Sequence, residues 1–130
     1  IALSQAALES AWGTSRFATE GKNYFGQWCY QPGCGLVPRN RQPGMKHEVR
    51  VFDSAAGSVR AYMRNLNTNS AYASFRKLRD SNRDPDVKLD ALILADGLMK
   101  YSSRGEEYVK SIRIMIRVCR ALLGKLNKEK

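Results

Sequence analysis

No stretch of this sequence approaches the length of apolar chain needed to cross a bilayer. Ala91–Ala95, reading ALILA, is among the longest apolar runs, far short of the roughly 20 residues a spanning helix needs. A helical membrane span is therefore excluded within these residues. The sequence also lacks a recognisable leader. It opens at Ile1, in what reads as the middle of a helix, so we expect a piece of a longer chain, and the missing leader does not bear on export. Histidine occurs once, as His47. The spacing Cys29–Cys34–His47 (C-x4-C-x12-H) would suit zinc, but no second histidine supplies a fourth ligand. Cys29 and Cys34 also bracket Pro32-Gly33, a turn signal that lets the two sulfurs meet. The disulfide is the preferred reading over zinc, two unpaired thiols also fit, and neither a metal site nor a cofactor is assigned. A disulfide would suit an exported protein. Cys119 falls inside the last helical pattern and is expected to pack.

Acidic residues are scarce. Twelve Asp+Glu stand against 22 Lys+Arg, for a net charge of +10. Such a surface favours polyanions: nucleic acid, anionic lipid or an acidic wall polymer. No helix-turn-helix pattern and no RNP-like aromatic motif supports nucleic acid. There are no internal repeats. At 130 residues and 43% apolar composition, the chain is read as one domain, 1–130, with a real core.

The organising stretch is Ile1–Trp28. Its first part, Ile1 to Trp12, reads as a largely buried helix stopped by Gly13, with Thr14 or Ser15 capping the next short helix or turn. Glu9 is the lone carboxylate of that first helix and sits in its last turn. Burial and the negative end of the helix dipole would both disfavour its charged form, which suits a general acid. Gln5 and Trp12 are expected on its face; a structurally satisfied Glu is the competing reading. Asn23-Tyr24-Phe25-Gly26 reads as a tight bend.

The segment from Gly33 to Gly44 is read as loop. Lys46–Phe52 alternates as a strand, with Glu48, Arg50 and Phe52 on one face and His47, Val49 and Val51 on the other. The only β region is thus a hairpin or small sheet from about Gln27 to Phe52. Asp53 or Ser54 caps a helix carrying Val59, Tyr62, Met63 and Leu66. A short basic helix comes next, over Ala71–Arg79. Another spans Val87–Met99, with Leu89, Leu92 and Ile93 inward. Ser103 and Glu106 form a capping box for a last core helix to Leu123, and Lys125–Lys130 is a frayed tail.

The segments QAALESAWGTSRFA and NYFGQW, with GQWCYQPGCGLVPRNR, HEVRVFDS and KYSSRGEEYV, resemble the bacterial peptidoglycan N-acetylglucosaminidases (glycoside hydrolase family seventy-three), and most closely their Bax-like branch. The resemblance runs from Ile1 to about Met115. It implies a mainly α (α+β) lysozyme-like fold, with a helical lobe, a small β-hairpin lobe and the cleft between. It also implies hydrolysis of the β-1,4 bond after N-acetylglucosamine, in the periplasm or cell envelope, with peptidoglycan as partner and no nucleic acid. Glu9 matches the family's catalytic acid. The second carboxylate has no match, because Cys34–Lys46 contains none; Glu48 is preferred over Asp53, which has a cap to make. Participation of the substrate's N-acetyl group would need only Glu9 and a polar orienter. Tyr101 and Tyr108 in KYSSRGEEYV resemble a two-tyrosine element of the family whose first tyrosine lies in the active site; with one residue more between them here, only Tyr101 is carried over, and Tyr108 suits substrate binding or the core equally. Trp28 and Tyr30 are expected in the cleft, Asn23 and Phe25 along its wall, and Trp12 in the packing. Two alternatives stand beside the hydrolase: a lytic transglycosylase, and a non-catalytic wall-binding or polyanion-binding module.

Overall fold

The computed structural model describes all 130 residues. In chain order the helices are α1 Ala2–Glu9, α2 Arg16–Gly21, α3 Ala55–Thr68, α4 Ala73–Ser81, α5 Ala91–Leu94 and α6 Glu106–Lys128. Single 3-10 turns cover Ser70–Tyr72 and Ala95–Leu98. Three short strands, β1 Trp28–Cys29, β2 Gly35–Leu36 and β3 Glu48–Arg50, make one antiparallel sheet with β3 in the middle. This is the mainly helical, lysozyme-like α+β class that the sequence led us to expect. No helix is long and apolar enough to cross a membrane. The chain divides into two compact units, one of Ala6–Met63 and one of Ile1–Gln5 with Arg64–Lys130.

In the Ala6–Met63 unit, the apolar core gathers Ala7, Ala18, Phe25, Val49, Phe52 and Tyr62. Phe25 stacks on Tyr62 with centroids 4.0 Å apart. Ser15 caps α2 by accepting from Ala18 N, as its side-chain chemistry requires. The cap of α3 is Ser54, whose Oγ accepts from Gly57 N at 3.0 Å; Asp53 does not make it. Trp28 pairs with Val49 on one side of β3, and Leu36 pairs with the same residue on the other.

The expected alternation of β3 fails as an inside–outside rule. His47, Glu48 and Val49 are all buried, whereas Arg50 and Val51 are exposed. The reason is local: His47 lies beneath the Trp28 ring at 3.7 Å, and Glu48 is turned onto buried backbone donors. Cys29 and Cys34 are joined in a disulfide. Because it closes a loop of only five residues' separation, replacing both cysteines by serine should lower stability by about 2 kcal/mol, read as a shift of the urea midpoint. An unchanged midpoint would mean that Glu48 alone holds this loop.

In the other unit, Leu66, Tyr72, Phe75, Leu94, Leu98, Tyr108, Val109, Ile112 and Ile116 form the core. Gly97 lies against the backbone of Phe75 so closely that no Cβ fits there, which brings the 3-10 turn onto α4. The helix expected over Val87–Met99 is therefore short. Asp90 starts α5 by accepting from Leu92 N at 3.0 Å, and the chain tightens to 3-10 at Ala95. Val87 is exposed and belongs to an isolated bridge with Asp84. The capping box at Ser103 does not form. Gly105 is the N-cap of α6 and no side chain caps it; Ser103 lies two residues too early. The expected frayed tail is helical to Lys128, although burial along α6 ends at Ile116. Cys119 is half-buried with a free thiol.

Asp90 also accepts from Arg120 at 2.7 Å. The Arg120 hydrogen bond, and after it that of Leu92 N, holds its carboxyl below the usual range. A folded-state pKa lower than the unfolded one adds stability above about pH 4 that fades as pH falls through the folded value. The ion pair itself is solvent-exposed and adds little. Asp90→Ala should cost about 1 kcal/mol at neutral pH through the lost cap. The melting temperatures of variant and parent should converge on acidification; a gap independent of pH would assign the loss to packing instead.

Candidate active site

Glu9 is the last residue of α1 and is half-buried. Ser10, itself buried, ends the helix there. Its Oγ donates to Ala6 O at 2.5 Å and accepts from Gly13 N at 2.8 Å. Its carbonyl accepts from Ser15 N at 3.0 Å. Between these bonds the backbone passes through positive φ at Ala11 (49°), Trp12 (58°) and Gly13 (79°). The helix expected to reach Trp12 thus stops three residues earlier. Trp12, expected to pack, is 55% exposed, and Leu3 is 64% exposed.

The bend after α2 is tied by Asn23. Its Nδ2 donates to Gln27 O and to Arg50 O, both at 2.9 Å. Its Oδ1 accepts from Phe25 N at 3.3 Å and from Gln27 N at 3.2 Å. One buried amide therefore satisfies four backbone groups and fixes the bend to the sheet. Within the bend, Gly26 takes φ +67°, and a Cβ there would come 3.3 Å from Glu9 Oε2. The Glu9 carboxylate thus lies against bare backbone, at a position where a side chain would both strain the chain and press on the acid. Asn23 and Phe25 are 1% and 3% exposed. They frame this corner from the interior and do not line a surface.

Glu48 is buried. Its two carboxylate oxygens accept from Gly33 N and Gly35 N, each at 3.0 Å. These two amides flank Cys34, so the carboxylate and the disulfide hold the same loop. Trp28 and Tyr30 stand out from it, 51% and 69% exposed. In the second unit, Tyr108 is buried and its hydroxyl accepts from Gln5 Nε2 at 2.9 Å. Its ring lies parallel to that of Tyr101 at 5.6 Å, and Tyr101 tilts against Tyr72 at 5.9 Å.

Among the residues singled out from sequence, Glu9, Asn23 and Phe25 share one frame, and Trp28, Tyr30 and Glu48 share the sheet and its disulfide loop. The contact of Gly26 with Glu9 and the exposure of Trp12 were not anticipated. The first had a readable signal in the glycine of NYFG. The second had none, because an Ala-Trp pair in left-handed conformation runs against local preference.

The family model described as glucosaminidase, mannosyl-glycoprotein endo-β-N-acetylglucosaminidase, matches residues 1–119. The chain is 40% identical over 103 residues to Protein bax of Escherichia coli (strain K12), a match that covers 79% of this chain and 36% of that protein. The chain thus spans about a third of the curated relative it matches. No solved structure matches it.

Proposed function

Because the chain belongs to the glucosaminidase family, as a Bax-like member, we propose that it is a peptidoglycan hydrolase that cuts the β-1,4 bond after N-acetylglucosamine, with Glu9 as general acid. The observation that carries this reading is the corner at Glu9. A carboxylic acid delivers a proton usefully only when it is held in place. Glu9 ends a helix closed by Ser10 and lies against Gly26. The bend that contains Gly26 is fixed in turn by Asn23. The +10 charge suits a substrate bearing muramic and peptide carboxylates, and we place the enzyme in the cell envelope.

Both oxygens of Glu48 are engaged by backbone N–H groups. We therefore assign Glu48 to ordering the disulfide loop that bears Tyr30 and follows Trp28 of β1, two aromatic surfaces suited to sugar faces. This favours a mechanism in which the substrate's own N-acetyl group assists Glu9. Mass spectrometry of peptidoglycan fragments after digestion tests the reading. A new reducing N-acetylglucosamine end is expected. An anhydro-muramyl end would mean a lytic transglycosylase, and intact glycan would mean a binding module.

Association with purified sacculi should also weaken as salt rises, since exposed charges are screened within about 8 Å at physiological ionic strength. Equal pelleting at low and high salt would assign binding to sugar contacts alone.

A further inference from the structure

We propose that Trp12 is a stacking platform for a pyranose ring of the glycan, set beside Glu9 by the turn that ends α1. The inference rests on the glucosaminidase reading and adds a substrate-binding residue to it. Three observations carry it.

The first is exposure. Tryptophan is a side chain that folding normally covers over most of its area, yet Trp12 remains 55% exposed. Trp28, the other tryptophan, has the His47 ring against one face, whereas Trp12 stacks on no aromatic ring.

The second is the backbone that presents it. Ala11 and Trp12 both lie in the left-handed region, at φ 49° and 58°, a conformation that residues with a Cβ adopt at a cost. The turn is over-determined. The buried Ser10 bonds Ala6 O, Gly13 N and Ser15 N, and Trp12 N donates to Ala7 O at 2.9 Å. Strain maintained in this way clusters where geometry serves a ligand.

The third is place. The bend that sets Gly26 against Glu9 Oε2 also sets the Tyr24 ring against the turn, 3.9 Å from where a Cβ on Gly13 would lie. One short segment therefore packs on both the acid and the turn that carries the indole. A flat apolar ring presented by the turn that directly follows the proton donor suits the C–H face of a sugar bound across that corner.

The test uses the full chain and a soluble N-acetylglucosamine-containing oligosaccharide. Trp12→Ala should raise KM about tenfold, the worth of one good aromatic stack, with little change in kcat. Trp12→Phe should restore most of the affinity. In the Glu9→Gln protein, the indole N–H signal of Trp12, distinguished from that of Trp28 by a Trp28→Phe variant, should shift on titration with the oligosaccharide. That measurement decides the matter even if Trp12→Ala does not fold. A still indole signal, or an unchanged KM in folded Trp12→Ala with an active parent, overturns the platform alone. A parent that binds the oligosaccharide through Trp12 but never cleaves it supports the platform and defeats the hydrolase reading instead.

Discussion

Glu9→Gln should reduce turnover of peptidoglycan by about 10²–10⁴-fold, the usual worth of general acid catalysis, while leaving the fold intact. The amide preserves the shape of the side chain and much of its hydrogen bonding, but it carries no proton that it can deliver to a leaving oxygen. Glu9 is only half-buried at the end of α1, so the core does not depend on it. Circular dichroism and the thermal midpoint of the variant should match the parent. Glu48→Gln should behave in the opposite way. Replacing one carboxylate oxygen by an NH₂ group sets a donor against Gly33 N or Gly35 N, the amides it now accepts from. The midpoint should fall, and any loss of activity should track the disorder of the loop. If folded Glu9→Gln clears peptidoglycan at near the parental rate, Glu9 is structural and the active site lies elsewhere.

The second large effect concerns stability. Asn23→Ala should destabilise the protein by about 3 kcal/mol, because several buried or half-buried backbone groups lose their partner at once. The groups are the carbonyls of Gln27 and Arg50 and the amides of Phe25 and Gln27. Alanine offers no polar atom to replace a four-way amide, and water reaches little of a residue that is 1% exposed. Asn23→Asp keeps the two acceptor bonds but sets a buried carboxylate oxygen against the carbonyls of Gln27 and Arg50, so at neutral pH it should be no more stable than the alanine variant. Urea titration of the three proteins gives the order. Parental stability in Asn23→Ala would show that the bend is held by Phe25 packing on Tyr62 and not by the amide. The alanine variant should also lose activity at temperatures where it is still folded, since the bend backs the Glu9 carboxylate through Gly26.

Local chemistry was enough for much of the architecture. Side-chain caps act over two or three residues, so Ser15 and the start of α2 were readable. Pro32-Gly33 turned the chain enough to join Cys29 to Cys34. The last helix, read as a core helix from its apolar content, is buried at Val109, Ile112 and Ile116, because a packed face demands apolar residues. The resemblance to the family motif singled out Glu9, which the structure places at the end of α1 against Gly26.

Tertiary structure decided the rest. The polarity of Glu48 argued for exposure, but it is buried because two backbone amides needed an acceptor. Those amides lie 15 and 13 residues away in the chain and come adjacent only once β2 pairs with β3. Ser54 rather than Asp53 caps α3, and Gly105 displaces Ser103 at the start of α6, because helix register is set by packing and a one-residue shift changes which side chain reaches the free N–H groups. Trp12 read as core because its neighbours were apolar. It is exposed because the buried Ser10 closes the helix early and reverses the sign of φ, an outcome that depends on where the turn is pinned and not on the composition of the segment.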